Sequence, residues 1–185
     1  EVGTANMGRV LPTRLTSLWQ VHISDPARYH AQAVDTPSDL FDAYGAWVYG
    51  ALGIATAGTT ADSSDRAWAV VTTEDPPRAK EALSARCRGC DTLAYRDVRI
   101  THTSDTSALA AVWGAPFERF ERPWWCLLGD RVVFSESVGA MREAIDAWTD
   151  GSSFQQDVRT GPIFQRYASE AGYTWWCDGA AGITA

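Results

Sequence analysis

The chain has 185 residues, a formal net charge of -7 at pH 7 and a hydrophobic content of 45%. This length and hydrophobic content predict an ordered globular fold with a sizeable core, and they exclude a disordered chain. The negative charge disfavours binding to nucleic acid and to anionic membranes, and the sequence has no apolar run of about 18 residues that would span a membrane.

The first third of the chain predicts one strand and two helices. Residues 14–23 alternate in polarity as a strand does. Asp25 followed by Pro26 is typical of a helix start. Residues 40–51 place aromatic and aliphatic side chains on one wide stripe, which predicts a longer helix that packs against a sheet.

The middle of the chain predicts a strand, a helix and a hairpin. Residues 66–73 have the composition of a strand. Asp75 and the proline after it mark the start of a helix that runs to Cys87. Residues 92–102 predict a hairpin or one long bent strand, and the periodicity of residues 108–114 does not distinguish helix from strand.

The clearest local signal is a hairpin around Gly129 and Asp130. Apolar strands flank this pair, and a glycine in the first position is typical of a type II′ turn. The resulting register brings one set of side chains to a predicted core face, while the opposite face looks mixed. The core-face residues are Trp125, Leu127, Val132 and Phe134.

The last part of the chain predicts two helices and a final strand. Ser137 is typical of a helix cap, and apolar side chains recur at helical spacing after it as far as Trp148. A second helix is predicted from Gly161 to Gly172. Residues 173–178, with the sequence YTWWCD, predict the last strand.

Together these elements predict an α+β fold, with an antiparallel-rich sheet and helices mainly on one face. We expect a single domain over residues 1–185, with sub-units at 14–104 and 105–185. Residues 67–85 also align with residues 129–147. Internal duplication of a strand-then-helix unit is one interpretation of this match, and the patterning that any strand–helix pair shares is the other.

Four cysteines form one CxxC pair and two single sites. Cys87 ends the predicted helix, where the helix dipole opposes a thiolate, so a disulfide with Cys90 or two unreactive thiols are favoured over a redox pair. Cys126 and Cys177 would form a second disulfide if the two Trp-Trp-Cys strands were neighbours with Cα atoms within about 7 Å. The cysteine spacing does not fit a four-cysteine zinc site.

Nine tryptophans raise the question of a binding surface. Adjacent tryptophans in a strand face opposite ways, so each Trp-Trp-Cys strand should turn one ring inward and one outward. We favour core and interface positions over a surface that stacks on sugars. The tryptophans on predicted core stripes are Trp19, Trp47, Trp125 and Trp148.

No motif for catalysis or metal binding is evident. The three histidines are His22, His30 and His102, and the first two lack further ligands at a defined spacing. The sequence contains no recognisable nucleophile motif, zinc motif or phosphate-binding glycine loop. We therefore predict no catalytic residue, no metal and no cofactor.

Residues 123–178 contain an ordered set of structural motifs. An aromatic strand and a Gly-Asp turn precede a strand that ends in Ser-Glu-Ser; a helix ending in Asp-Ala-Trp, the segment FQRY and an aromatic strand follow. This order resembles a family of bacterial cell-envelope proteins of unknown function, and AWAVVTTEDP and DTLAYRDVRITHT upstream resemble the family's strands. The resemblance implies a location on the periplasmic side or at the outer membrane, with room for a lipid anchor upstream, and it supplies no catalytic residues.

We therefore expect a non-enzymatic cell-envelope domain that mediates protein contacts or assembly, with a protein partner and no nucleic acid. Two alternatives stay open. One is a carbohydrate-binding module that uses outward-facing tryptophans, and the other is a thiol-redox protein that uses Cys87 and Cys90. The sequence leaves the oligomeric state open.

Overall fold

A computed structural model of the chain describes residues 7–58, 66–162 and 173–178, and β-branched and aromatic residues are concentrated in its strands. The strands are β1 (Ser17–Ile23), β2 (Gly50–Thr56), β3 (Ala67–Thr72), β4 (Thr92–Tyr95), β5 (Val98–His102), β6 (Trp124–Leu128), β7 (Arg131–Ser135) and β8 (Tyr173–Cys177). The α-helices are α1 (Pro26–Ala33), α2 (Phe41–Tyr44), α3 (Pro76–Arg86), α4 (Ala108–Trp113) and α5 (Val138–Thr149). Short 3₁₀ turns lie at Met7–Val10, Ala115–Phe117 and Phe154–Gln156.

Side-chain caps start three of the helices where the sequence predicts them. The Asp25 carboxylate accepts the backbone N–H of Arg28 at 2.9 Å, and the Ser137 hydroxyl accepts that of Ala140 at 3.3 Å. Asp75 caps α3 in the same way. These bonds satisfy amides that have no partner inside the helix, so the predicted starts of α1, α3 and α5 are confirmed. None of the helices in the described ranges combines the length and the hydropathy that crossing a membrane requires.

The described strands form one sheet in the order β4-β5-β6-β7-β3-β2-β1-β8. Each neighbouring pair is antiparallel, which confirms the α+β class. Strands from the expected sub-units 14–104 and 105–185 are interleaved, so both contribute to one hydrogen-bonded layer. Within the described residues, β4 and β8 are the two edges of this layer.

Helices cover both faces of the sheet, but unequally. Four helices, α1 to α4, pack on the face that buries Val71 and Val132, which we call the four-helix face. On the opposite face, the α5 face, α5 and the first 3₁₀ turn bury Val70 and Val133. Helices are therefore mainly on one face, as predicted. The second face of the hairpin, which carries mixed side chains, is buried as well because α5 covers it.

The hairpin of β6 and β7 has the predicted register. Trp125 lies opposite Phe134, and Leu127 lies opposite Val132. Gly129 opens the turn with a φ of 63°, a value that a glycine adopts without strain and that a type II′ turn requires at its first position. The sequence therefore determines this hairpin locally.

The helix predicted over residues 40–51 is wrong in its second half. α2 ends at Tyr44, and β2 begins at Gly50, whose φ of 94° is incompatible with a helix. The backbone of β1 lies very close to Gly53 in β2. A Cβ at this position would lie 2.1 Å from the backbone oxygen of Trp19. The apolar stripe was misleading because the residues that follow α2 are also buried.

Two ambiguous segments are resolved by the structure. Residues 92–102 form the β4–β5 hairpin, in which Arg96 and Asp97 adopt positive φ values of 45° and 64°. Residues 108–114 contain helix α4. The helix predicted over residues 161–172 lies, apart from its first two residues, outside the described ranges.

The two segments of the suggested duplication each contain a strand that leads into a helix. These units are β3–α3 and β7–α5. Their strands are antiparallel neighbours, but the helices pack on opposite faces of the sheet. Duplication stays a prediction, since any strand followed by a helix would share this much.

Candidate functional site

The CxxC pair lies at the C-terminal end of α3. The Cys87 thiol donates a hydrogen bond to the backbone oxygen of His102 at 3.3 Å, and both Cys87 and Cys90 are half-buried free thiols. Burial raises the pKa of Cys87 to about 11, the neighbouring Cys90 thiol adds to the rise, and the indole of Trp125 lowers it. Cys87 is therefore protonated at neutral pH, and the disulfide between Cys87 and Cys90 stays a prediction.

The second cysteine pair is not brought together. β6 and β8 are third and eighth in the sheet order, and five inter-strand steps of about 4.8 Å separate Cys126 from Cys177 by on the order of 24 Å. A disulfide between them is therefore wrong, since it requires Cα atoms within about 7 Å. Cys126 is buried, which raises its pKa to about 12, whereas Cys177 is exposed.

A cavity of about 340 Å³ lies beside Cys87, between α3 and strands β5 and β6. Its charged residues are exposed, whereas Trp125 is buried, so the cavity has a polar rim and an apolar wall. α3 contributes Lys80 and Ser84, and Cys87 follows at its C-terminal end. The sheet and the β4–β5 turn contribute Asp97, Val98, Arg99, Thr101, Trp125 and Leu127.

The rim of this cavity carries positive charge that has no carboxylate partner. Lys80 and Arg99 form no ion pair with any residue in the described ranges. Arg86 and Arg96 nearby are each paired with an aspartate. On the wall, the indole of Trp125 is buried beside the Cys87 thiol, whose pKa it lowers.

A polar network fixes the end of α3 beside the cavity. Arg86 donates to both carboxylate oxygens of Asp105, at 2.9 and 2.8 Å, and the Tyr44 hydroxyl donates to the same carboxylate at 3.1 Å. The guanidinium of Arg86 holds the pKa of Asp105 below its usual range, while burial and the Asp105 charge raise the pKa of Tyr44. These groups satisfy one another, so the network positions α3.

The histidines are dispersed over the fold. Buried His30 donates from Nδ1 to the backbone oxygen of Val112 at 2.7 Å and accepts the Ser38 N–H at Nε2 at 3.2 Å, so both ring nitrogens are occupied. His22 lies exposed on β1, and His102 ends β5. In the part of the chain that the structure describes, no group of three or more His, Cys, Asp or Glu residues is arranged to hold a metal ion.

The tryptophans divide between core and surface. Trp47 and Trp125 are buried as predicted, and Trp19 is half-buried against the four-helix face. The core position predicted for Trp148 is wrong, because its side chain is 37% exposed. Trp148 lies near the end of α5, where its ring covers the Gly129 turn rather than the sheet.

The two Trp-Trp-Cys strands show the predicted alternation of neighbouring rings. In β6, Trp125 is buried on the four-helix face and Trp124 is half-buried on the α5 face. In β8, Trp176 packs edge-on against Phe154 with 5.0 Å between ring centroids, while Trp175 is 68% exposed. Both strands turn one ring inward, but β8 leaves the other in solvent.

β8 is one edge of the sheet that the described strands form. Among the described residues it pairs with β1 alone. The Asp178 N–H donates to the Thr16 oxygen at 3.0 Å. Because backbone groups alternate along a strand, the N–H and C=O groups of Tyr173, Trp175 and Cys177 point away from the sheet. We call these three residues the β8 edge; their side chains are exposed as well.

Comparison with known proteins gave no relative: no family model and no curated protein matches the chain, and no solved structure matches it. The resemblance of residues 123–178 to cell-envelope proteins therefore stays an expectation.

The cavity is the feature that the sequence did not predict. Lys80, Ser84 and Cys87 are spaced four and three residues apart, which places them on one side of a helix and was the available signal. The approach of Arg99 to that side depends on how the β4–β5 hairpin joins β6. No local pattern encodes that pairing.

Proposed function

We propose that the protein is a non-enzymatic interaction domain of the cell envelope, and that the β8 edge binds an extended strand of a protein partner. The observation that carries this proposal is an edge strand with outward-pointing backbone groups and two exposed aromatic side chains. Tyr173 is 57% exposed and Trp175 is 68% exposed. Their rings lie on the same face of the strand because they are two residues apart.

Within Tyr173–Cys177, the edge carries none of the sequence features that usually keep a strand from pairing with another chain. Natural edge strands carry charges, prolines or bulges that block such pairing. The segment YTWWC contains no charged residue and no proline, and it pairs with β1 without a bulge. A partner strand would extend the sheet by backbone hydrogen bonds, and Tyr173 and Trp175 would select its side chains.

An extended peptide fits this edge better than a sugar does. A sugar ring stacks on an exposed aromatic face, but it does not match the row of backbone groups at Tyr173, Trp175 and Cys177. A strand satisfies both the aromatic side chains and the backbone row. The carbohydrate alternative is therefore the weaker of the two.

The thiol-redox alternative is disfavoured by the state of Cys87. A redox-active cysteine reacts as the thiolate, and burial raises the pKa of Cys87 to about 11. Cys87 also follows the C-terminal end of α3, where the helix dipole opposes a negative charge.

The location in the cell envelope rests on the sequence resemblance of residues 123–178.

The test is a selection of random linear peptides displayed on phage against the whole chain. Selected peptides are expected to bind the wild type and Cys177→Ala equally and to lose binding to Cys177→Pro, because proline removes an outward N–H without removing either aromatic ring. Trp175→Ala is expected to weaken the same peptides. Fluorescence anisotropy of labelled peptides measures all three variants.

Three results would contradict the proposal. The selection yields no binding peptide, or the peptides bind Cys177→Pro as well as Cys177→Ala. Alternatively, light scattering shows a dimer that Cys177→Pro dissociates, in which case the occupant is a second copy. Titration with maltohexaose completes the experiment: binding that is lost in Trp175→Ala and kept in Cys177→Pro would favour the carbohydrate alternative.

A further inference from the structure

We propose that the cavity between α3 and strands β5 and β6 binds a small organic carboxylate that carries an apolar group. This site lies on the four-helix face and is independent of the function proposed for the β8 edge. It is defined by Lys80 and Arg99 on the rim and by Trp125 and Leu127 on the wall.

The charge on the rim selects an anion. Lys80 and Arg99 line the same opening, and neither has a carboxylate partner in the described ranges. Two unpaired cations at one opening of an otherwise acidic protein attract an anion and repel an amine. An arginine and a lysine together bind a carboxylate by charge-assisted hydrogen bonds.

A single aspartate opposes this attraction. Asp97 also lines the cavity, and it occupies the β4–β5 turn with a φ of 64°. The rim therefore has two positive charges and one negative charge, and the net charge stays positive. A small monoanion matches that balance better than a polyanion does.

The wall selects the apolar part of the ligand. Trp125 and Leu127 give an apolar surface, and Ser84 and Thr101 place hydroxyl groups beside it. A volume of about 340 Å³ lies at the lower end of the range of small-molecule sites, so the ligand has roughly the size of one ring and a short chain.

Phenylacetate is the probe, because it joins a carboxylate to one apolar ring. Titration into the ¹⁵N-labelled chain is expected to shift the indole resonance of Trp125, assigned with Trp125→Phe, together with the amides of Arg99 and Thr101. Neutral phenylacetamide is expected to shift them far less at equal concentration. Inorganic phosphate, which lacks the apolar group, is expected to leave the Trp125 resonance unchanged.

Variants locate the anion. Lys80→Gln and Arg99→Gln are each expected to raise the dissociation constant for phenylacetate about tenfold, since each removes a hydrogen bond to a charged group. Arg78→Gln is the matched control, because Arg78 is an exposed cation on α3 that does not line the cavity. All three side chains are exposed, so the variants are expected to fold, and unchanged amide spectra away from α3 check this.

The proposal is overturned by any of four results. Phenylacetamide binds as tightly as phenylacetate, or phosphate produces the same shifts. Arg78→Gln weakens binding as much as Lys80→Gln does. The last is that phenylacetate shifts no resonance of the cavity at millimolar concentration, which would mean that the unpaired cations are solvated surface charges.

Discussion

β6 and β8 carry the same tripeptide, Trp-Trp-Cys, but β6 lies inside the sheet and β8 lies at its edge. In β6, strands pair on both sides and helices cover both faces, so Cys126 has no exposed surface. In β8, Cys177 and Trp175 are exposed. The position of a strand in the sheet therefore decides whether this tripeptide contributes to packing or is available for contact.

Truncating one tryptophan in each strand is expected to give the largest difference in stability between β6 and β8. Trp125→Ala leaves a cavity in the core and is expected to lower the free energy of unfolding by about 3–5 kcal/mol, as is Phe134→Ala opposite it. Trp175→Ala removes an exposed side chain and is expected to change that free energy by less than about 0.5 kcal/mol. Urea unfolding followed by circular dichroism measures each value, and equal losses at Trp125 and Trp175 would refute the contrast.

Substitution of Cys126 in β6 and of Cys177 in β8 is expected to show the same difference in stability, but a smaller one. Cys126→Ser buries a hydroxyl among apolar side chains and is expected to cost about 1–3 kcal/mol of unfolding free energy. Cys177→Ser exchanges one exposed group for another and is expected to be neutral. The same urea experiment compares the two variants. A neutral Cys126→Ser would mean that the α5 face is less tightly packed than described.

Unfolding at acid pH tests how the pair of Arg86 and Asp105 holds α3 in place. Arg86 depresses the pKa of Asp105, so the stabilisation from this pair is fully present above the ordinary carboxyl pKa of about 3.9 and is lost as the pH falls through the lower, folded-state value. Asp105→Asn is expected to be less stable than the wild type near neutral pH, and the gap is expected to narrow below about pH 4. If the difference in stability between the wild type and Asp105→Asn did not change with pH, Asp105 would not be ionised in the folded protein.

Thiol labelling compares the exposure of single cysteines in the two strands. It is the smallest of the expected effects. In the native protein, iodoacetamide is expected to label exposed Cys177 at neutral pH and buried Cys126 only after unfolding. Labelling of Cys87 is expected to be slow and to accelerate as the pH approaches its raised pKa of about 11. Peptide mass spectrometry reports each site. In a sample prepared without reductant, it also tests the predicted disulfide between Cys87 and Cys90.

Much of the fold is predictable because its signals are local. The turn at Gly129, the cap at Ser137 and the cap at Asp75 are each encoded within a few residues. The helix predicted over residues 40–51 fails because apolar periodicity does not show where burial continues after a helix has ended. Gly50 was the local sign of that end.

The site depends on pairings that are distant in sequence. Whether a Trp-Trp-Cys strand lies inside the sheet or at its edge follows from the order of the strands, and no spacing along the chain records it. The same holds for the cavity, which Lys80 from α3 and Arg99 from β5 line together. The alternation of Trp175 and Trp176 was predictable, but the exposure of Trp175 was not.

Amide hydrogen exchange with a selected peptide tests the proposed role of the β8 edge most directly. In the free protein, the N–H of Trp175 points outward and is expected to exchange quickly, whereas that of Trp125, in a strand paired with β5 and β7, is expected to exchange slowly. The bound peptide is expected to slow exchange at Trp175 and Cys177 and to leave Trp125 unchanged. If the amide of Trp175 exchanged as quickly in the peptide-saturated protein as in the free protein, strand addition at this edge would be contradicted.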